Sequence, residues 1–552
     1  MKDLTPLQEE RLDFAPKLPA ILQNLSSLKT EKLGSRTAAD PEISDLFPKT
    51  NGQPGLTFTI DHVHEKSALK VGVVLSGGQA AGGHNVITGL FDALKELNPA
   101  SRLYGFLNGP AGIIENETIE LTDELVRSYR NQGGFDMIGA GRTKIETEEQ
   151  FQGALATAKS LDLDGIVIIG GDDSNTNAAL LAEFFINEGV KTRVIGVPKT
   201  IDGDLKNFQI EISFGFDTAS KTYSDIIGNI ARDSLSAKKY YFFIKLMGRS
   251  ASHIALECAL QTHANYTFIG EEVEKENRTF KQLVDSLATM ICQRADEGKN
   301  YGVVLIPEGL IEFVPEFKTL ISELNQLTID SAMNRENRIL FAKQNISKAS
   351  LECYESLPRL IQEQLVLDRD PHGNVQVSKI ETERLFIEAV RQELKKRKEK
   401  GEYSGSFNAQ PQFCGYEGRS CLPSNFDSQY CYALGHVAAL LIDANATGYM
   451  ACVKNLSHPV EEWQICGVPL TSMIHKEMRK GKLKPVIKKA LVDLQGSPFQ
   501  TFRDHREQWM FADDYRYPGS IQFFGPPEIT DAITLTLEYE SQNFTSTTAS
   551  SN

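Results

Sequence analysis

The chain has 552 residues, 41% hydrophobic and 24% charged, which allows two or more globular domains with sizeable cores. A formal net charge of −15 excludes sequence-independent nucleic-acid binding, which needs a broad basic surface; phosphorylated small molecules need only a local cluster of cations and backbone N–H groups. No stretch reaches the ~20 apolar residues of a membrane helix, the start MKDLTPLQEERLDFAPKL has no secretory pattern, and the eight cysteines form neither CxxC nor a zinc spacing, so a cytoplasmic protein with reduced core thiols is expected.

Residues 1–66 are polar and loop-rich and read as an N-terminal extension. From Ala68 onward, apolar runs bounded by glycines alternate with helical stretches: Lys70–Leu75, His84–Leu97, Leu103–Leu107, Gln150–Leu161, Gly165–Ile169, Ala178–Glu188 and Arg193–Val197. That alternation predicts a parallel sheet covered on both faces, with ligands at the carboxyl ends of its strands. A second alternating stretch runs from Asp217 to Pro307. Glu312–Gln410 is polar and helix-favouring and reads as a helical insertion; its charge run Glu393–Lys400 is a solvated helix face. Strand and helix texture resumes at Phe413, and the last residues, SQNFTSTTASSN, read as a disordered tail. The expected class is α/β: two Rossmann-like, doubly wound domains with the active site in the cleft between them. Residues 67–213 and 427–490 form the larger domain, 214–426 the smaller one with an insert at about 312–410, and 491–552 a C-terminal segment.

Three strand-to-helix segments carry chemistry. In Val71–Asn85 (VGVVLSGGQAAGGHN) a strand ends, glycines 77, 78, 82 and 83 follow, and a helix opens. Such a turn cradles phosphate on free N–H groups, or merely packs helix on strand. In Gly165–Thr176 (GIVIIGGDDSNT) two adjacent carboxylates follow two glycines. Asp173 or Ser174 can cap the helix, but paired acids at a glycine turn repel unless a cation is near, and a carboxylate plus phosphate oxygens is the usual way to hold Mg²⁺. In Val194–Leu205 (VIGVPKTIDGDL) Lys199 offers a point charge for phosphate, and Asp202 and Asp204 offer carboxylates for proton abstraction; a plain loop of Asx turns is the competing account. Together the three describe phosphoryl transfer.

In order and spacing, SGGQAAGGHN, GGDDSNT and PKTIDGD resemble the loops of the phosphofructokinase family, and Lys239-Tyr240, Met247-Gly248-Arg249, Ile306–Gly309 and Gly415–Arg419 (GYEGR) continue the set. The resemblance covers roughly residues 68–310 and 413–480. The extension and the insert resemble the long, plant-like, pyrophosphate-dependent branch. The resemblance implies reversible transfer from pyrophosphate to the 1-hydroxyl of fructose 6-phosphate, with Mg²⁺, at a step of glycolysis and gluconeogenesis. It implies Gly78, Asp173 and Lys199 at pyrophosphate, Asp172 at the metal, and Asp202 as base, with Lys199 and Asp173 as further catalytic groups. It places Thr200, Ile201, Asp202, Lys239, Tyr240, Met247, Gly248, Arg249, Glu308, Tyr416, Glu417, Gly418 and Arg419 at the sugar phosphate. Lys239, Tyr240 and Arg419 are implied to approach the 6-phosphate, some from a second subunit of a homodimer. ATP-dependent relatives carry glycine where Asp173 stands. Ala80-Ala81 and Gly203 depart from the common Ala-Pro and Asn, and Arg142 sits where the family often has a phosphate-contacting arginine. An ATP-dependent relative and a non-catalytic regulatory subunit are the competing readings. Asp173 and Lys199 oppose the first, and the intact Asp172, Asp202 and Arg249 the second.

Overall fold

The computed structural model describes residues 4–33, 40–329, 333–369, 374–479 and 482–548. Among them fifteen strands are numbered along the chain: β1 (Leu28–Leu33), β2 (Gly55–Ile60), β3 (Lys70–Leu75), β4 (Arg102–Phe106), β5 (Thr118–Glu120), β6 (Gly165–Gly170), β7 (Arg193–Pro198), β8 (Tyr241–Leu246), β9 (Tyr266–Thr267), β10 (Gly302–Pro307), β11 (Ala409–Cys414), β12 (Tyr449–Lys454), β13 (Gln464–Pro469), β14 (Ile474–Arg479) and β15 (Lys482–Ile487). They belong to two compact units. The first comprises 1–219, 416–490 and 521–533, the second 220–415, 491–520 and 534–552.

The first unit holds a nine-stranded sheet in the order β1-β2-β13-β12-β7-β6-β3-β4-β5. Its centre is parallel: β3 pairs with β4 and β6, β6 with β7, and β7 with β12. These strands (KVGVVL, GIVIIG, RVIGVP) are almost wholly buried, as continuous apolar runs covered on both faces must be. Helices Gly83–Leu97 and Asn425–Asp443 pack backbone to backbone. A Cβ at Gly89 would lie 2.2 Å from the Tyr432 carbonyl and one at Gly435 2.3 Å from that of Val86, so neither position tolerates a side chain. The described residues before 67 are built into this unit: β1 and β2 extend the sheet beyond β13, and buried Arg11 donates to the carbonyls of Asn131 (2.9 Å) and Pro423 (2.7 Å). The turn carrying Tyr416–Arg419 also belongs here and not to the second unit, as its position before residue 427 suggested. Gly133, which a Cβ would drive to 2.2 Å from the Cys421 carbonyl, and Arg11 hold that turn down.

The second unit carries the sheet β11-β8-β10-β9, all parallel. The insertion is helical as expected, with helices Pro315–Gln326, Arg335–Asn345, Lys348–Ser356, Arg359–Leu367 and Thr382–Glu399. It shares the unit's core: Phe317, Tyr354, Leu365, Phe386 and Val390 are buried together with Phe243 of β8 and Val304 of β10. Lys395, Lys396 and Lys398 face solvent, while Arg397 turns back to Asp285 and Glu393. The C-terminal tail departs from the sequence reading, because helix Leu535–Thr548 runs through SQNFTSTT; residues 549–552 lie outside the described residues. The cause lies upstream of the polar stretch. The buried Glu257 carboxylate accepts from the backbone N–H of Leu535 (2.9 Å) and Thr536 (2.8 Å), capping the helix start. Among the described residues no helix is long and apolar enough to cross a membrane. All eight cysteines are free, six of them buried.

One buried charge pair ties insert to sheet. Lys245 Nζ on β8 donates to the carbonyls of Ile380 (3.0 Å) and Ser378 (3.4 Å), lies 3.7 Å from Glu383 Oε2 and sits 4.4 Å above the Phe413 ring. Lys245→Ala strands the carboxyl and two carbonyls, at an expected cost of about 3 kcal/mol or more. Lys245→Met with Glu383→Gln restores most of it. Thermal unfolding midpoints check this: a double variant no more stable than Lys245→Ala would mean that the charges are not coupled.

Candidate active site

The loops after β3, β6 and β7 lie side by side at the carboxyl end of the first sheet, because these strands are adjacent and parallel. After β3, Gly77 takes φ +87°, and its N–H donates to the Gly141 carbonyl at 2.8 Å. A Cβ at Gly77 would stand 3.3 Å from Lys199 Nζ. One at Gly78 would stand 3.5 Å from Arg419 Cζ and 3.7 Å from Arg142 Nη2. Three cations thus converge on a loop without side chains, which is the local basic cluster that an acidic chain needs for a phosphorylated ligand. Lys199 Nζ is buried and donates to the Gly78 carbonyl at 2.7 Å. Burial first, then Arg419 and Arg142, pull its pKa down to about 8 against the opposing pull of Asp202 and Asp172. Arg419 also lies 5.3 Å over the ring of Tyr416, which is exposed.

After β6, helix Asp172–Asn187 opens with its two acids on the positive end of the helix dipole. Asn175 Nδ2 donates to the Gly170 and Gly171 carbonyls (2.6 and 2.9 Å) and fixes the turn. Asp173 pairs with Lys144 (3.3 Å). The Lys144 segment is held in turn by a two-bond clamp between the Ile145 backbone and the Asn177 side chain (2.9 and 2.6 Å). Asp172 lies 3.6 Å from Lys489, whose Nζ is also 3.7 Å from Asp204. Ser76 and Ser174 hydroxyls bond at 2.8 Å across the β3 and β6 loops.

After β7, Thr200 Oγ1 accepts from the Asp202 N–H (3.0 Å) and lies 3.3 Å from Asp204 Oδ1. The two acids differ in access. Asp202 is half-buried, whereas Asp204 is buried and pushed up to about 7 by that burial and by the negative charge of Asp202. The loop thus sets an accessible carboxylate, Asp202, beside a buried, proton-retaining one, Asp204. The Ile201 side chain is buried, so only its backbone is available to a ligand.

In the second unit Met247-Gly248-Arg249 follows β8 and Glu308-Gly309 follows the neighbouring β10. Gly248, at φ +121°, donates its N–H to Glu308 Oε2 at 3.2 Å. A Cβ on Gly309 would lie 1.8 Å from the Arg249 carbonyl, so the two loops interlock through a glycine. Met247 N donates to the Cys414 carbonyl at 3.1 Å. Lys239 and Tyr240 stand apart from this group, at the opposite end of β8, with Lys239 Nζ 5.1 Å from the Tyr240 ring centre. Six strand residues, about 20 Å of extended chain, separate them from Met247.

Lys144 and Lys489 were not found from the sequence. Lys144 follows Arg142 in GRTK, a signal that was available. Lys489 ends the basic stretch of β14 and β15, whose place against Asp172 no local pattern reveals. As for a metal, Asp172 offers one accessible carboxylate beside the glycine loop, and among the described residues no group of three or more His, Cys, Asp or Glu forms a cage. That donor set fits Mg²⁺, which is typically carried on a phosphate and held by one or two carboxylates.

Residues 70–442 match the family described as Phosphofructokinase. The pyrophosphate–fructose 6-phosphate 1-phosphotransferase subunit beta 1 of Arabidopsis thaliana is 53% identical over 97% of this chain and 94% of its own. The pyrophosphate–fructose 6-phosphate 1-phosphotransferase of Porphyromonas gingivalis is 51% identical over 96% of this chain and 98% of its own. A crystal structure of a pyrophosphate-dependent phosphofructokinase from Nitrosospira multiformis covers 81% of this chain and 93% of its own with a TM-score of 0.54; at 16% identity that is a likeness of fold.

Proposed function

Because the chain belongs to the phosphofructokinase family, we propose that it transfers a phosphoryl group from pyrophosphate to the 1-hydroxyl of fructose 6-phosphate. The products are fructose 1,6-bisphosphate and phosphate. The observation that carries this reading is the glycine loop ringed by Lys199, Arg142 and Arg419 beside the Asp173–Lys144 pair. It offers concentrated positive charge in a small space, which suits a compact tetra-anion better than a nucleotide tail.

Asp202 takes the 1-hydroxyl proton as the sugar oxygen attacks the nearer phosphorus. The bond to the bridging oxygen breaks, and the leaving phosphate carries away the electron pair. Lys199, Arg142 and Arg419 offset charge on the phosphoryl oxygens, and the Gly77 and Gly78 backbone lets them approach. Mg²⁺, held at Asp172, supplies further charge neutralisation when bound. Met247, Gly248, Arg249 and Glu308 read the sugar phosphate, with Thr200, the Ile201 backbone, Tyr416, Glu417 and Gly418. Exchange of a phosphoanhydride for an ester leaves little driving force, so the reaction runs both ways. Free, largely buried thiols suit a reducing cytoplasm. The test is direct: purified protein with fructose 6-phosphate and Mg²⁺, offered pyrophosphate or ATP separately. Turnover with pyrophosphate is expected, and equal or better turnover with ATP rejects the reading.

The active site is shared between two chains of a homodimer. Lys239 and Tyr240 sit at the far end of β8 from Met247, which supports their serving the sugar phosphate in a second chain's site. Asp202→Asn and Lys239→Ala chains, each nearly inactive, should regain about a quarter of wild-type activity when co-refolded, since half of random dimers are hybrids with one intact site. Mixtures no more active than the sum of the parts would contradict sharing.

A further inference from the structure

Lys489 places an ammonium between the carboxylate assigned to the metal and a buried neighbour. Its Nζ lies 3.6 Å from Asp172 Oδ2 and 3.7 Å from Asp204 Oδ2. Both distances exceed a hydrogen bond, so the contact is charge against charge. The placement is built by backbone on either side. Two residues before Lys489, the Ile487 N–H donates to Thr176 Oγ1 at 3.1 Å, on the helix that Asp172 opens. One residue after it, the Ala490 N–H donates to the Asp204 carbonyl at 2.7 Å. The segment is therefore stapled to the β6 loop and the β7 loop at once, and the lysine between the staples meets one acid from each. A lysine head on a flexible four-carbon stem holds such acids by charge alone and can leave without disturbing either staple.

We propose that Lys489 is a positioning residue that occupies, in the absence of metal, the charge position of the divalent cation at Asp172, and gives up that carboxylate when the cation arrives. This rests on the reading of Asp172 as the metal carboxylate. The ammonium keeps Asp172 aimed and competes with free metal, so a cation delivered together with pyrophosphate is favoured over one arriving alone. Lys489 keeps the Asp172 carboxylate from turning away before the donor binds.

The test is a titration with Mn²⁺ alone, without sugar or pyrophosphate, following the free-ion electron paramagnetic resonance signal. Lys489→Gln is expected to bind Mn²⁺ about fivefold more tightly than the unsubstituted chain, the factor equivalent to the ~1 kcal/mol of a partly exposed ion pair. Lys489→Arg, which keeps the charge, should bind as the unsubstituted chain does. A loss of packing would not tighten metal binding, so the gain separates this role from a structural one. Equal or weaker Mn²⁺ binding by Lys489→Gln overturns the proposal. If Asp172→Asn abolishes binding in the same titration, the metal reading stands independently of that result. If Asp172→Asn binds as before, the metal reading falls and the proposal with it.

Discussion

Asp202→Asn is expected to lower turnover by about 10²–10⁴-fold while leaving fructose 6-phosphate affinity within about threefold, because it removes the proposed general base and keeps its shape. The hydrogen bond that orients the loop, Asp202 N–H to Thr200 Oγ1, is a backbone bond and survives the change. Asp204 gives the contrast. It is buried beside Thr200 and Lys489 and retains its proton to about 7. Asp204→Asn therefore acts through loop geometry and should cost less in turnover than Asp202→Asn. Single-turnover rates at saturating sugar phosphate decide between them. A larger loss at Asp204, or turnover of Asp202→Asn within threefold of the unsubstituted chain, would remove Asp202 from the role of base.

The loops were readable wherever their signal is local. Glycines, acids and a lysine directly after an apolar run announce a loop at the carboxyl end of a buried strand, and Gly78, Asp172, Asp173, Lys199 and Asp202 all lie in the loops or first helical turn after β3, β6 and β7. What depends on distant chain segments was not. Lys489 reaches Asp172 only because β15 is stapled to the helix after β6. The nearness of the Arg419 guanidinium to Gly78 follows from the anchoring of its turn within the first unit by Arg11 and Gly133, which no local pattern reveals. The N-terminal residues look like polar loops because β1 is an edge strand with one buried residue in its alternation, too weak a pattern to mark a sheet extension. The final helix was hidden for the same reason. Its composition favours disorder, and the carboxylate that caps it belongs to residue 257.

On the proposed reading donor choice rests on Asp173 and Lys199, and changing either should have large and different effects. Asp173→Gly removes a side chain and a negative charge at the first turn of its helix and frees Lys144 from its 3.3 Å partner. ATP then gains both space and a cation, so measurable ATP-dependent turnover should appear while the pyrophosphate reaction weakens. Adding Lys144→Ala should cancel much of that gain, since the two side chains are coupled. Lys199→Gln should slow the pyrophosphate reaction by about 10²–10³-fold, the equivalent of a few kcal/mol of transition-state charge stabilisation. The pH profile supplies an independent sign. Burial and the neighbouring arginines bring the Lys199 pKa down to about 8, so in the free enzyme its proton is present below that pH and lost above it. The kcat/KM for pyrophosphate should therefore fall as pH rises through about 8, and the Lys199→Gln profile should lack that limb. The deciding quantity is the ratio of kcat/KM for pyrophosphate and ATP, measured in the unsubstituted chain and in Asp173→Gly. A ratio that the substitution leaves unchanged would mean that Asp173 does not guard the donor site, and a Lys199→Gln enzyme that keeps the alkaline limb would assign that limb to another group.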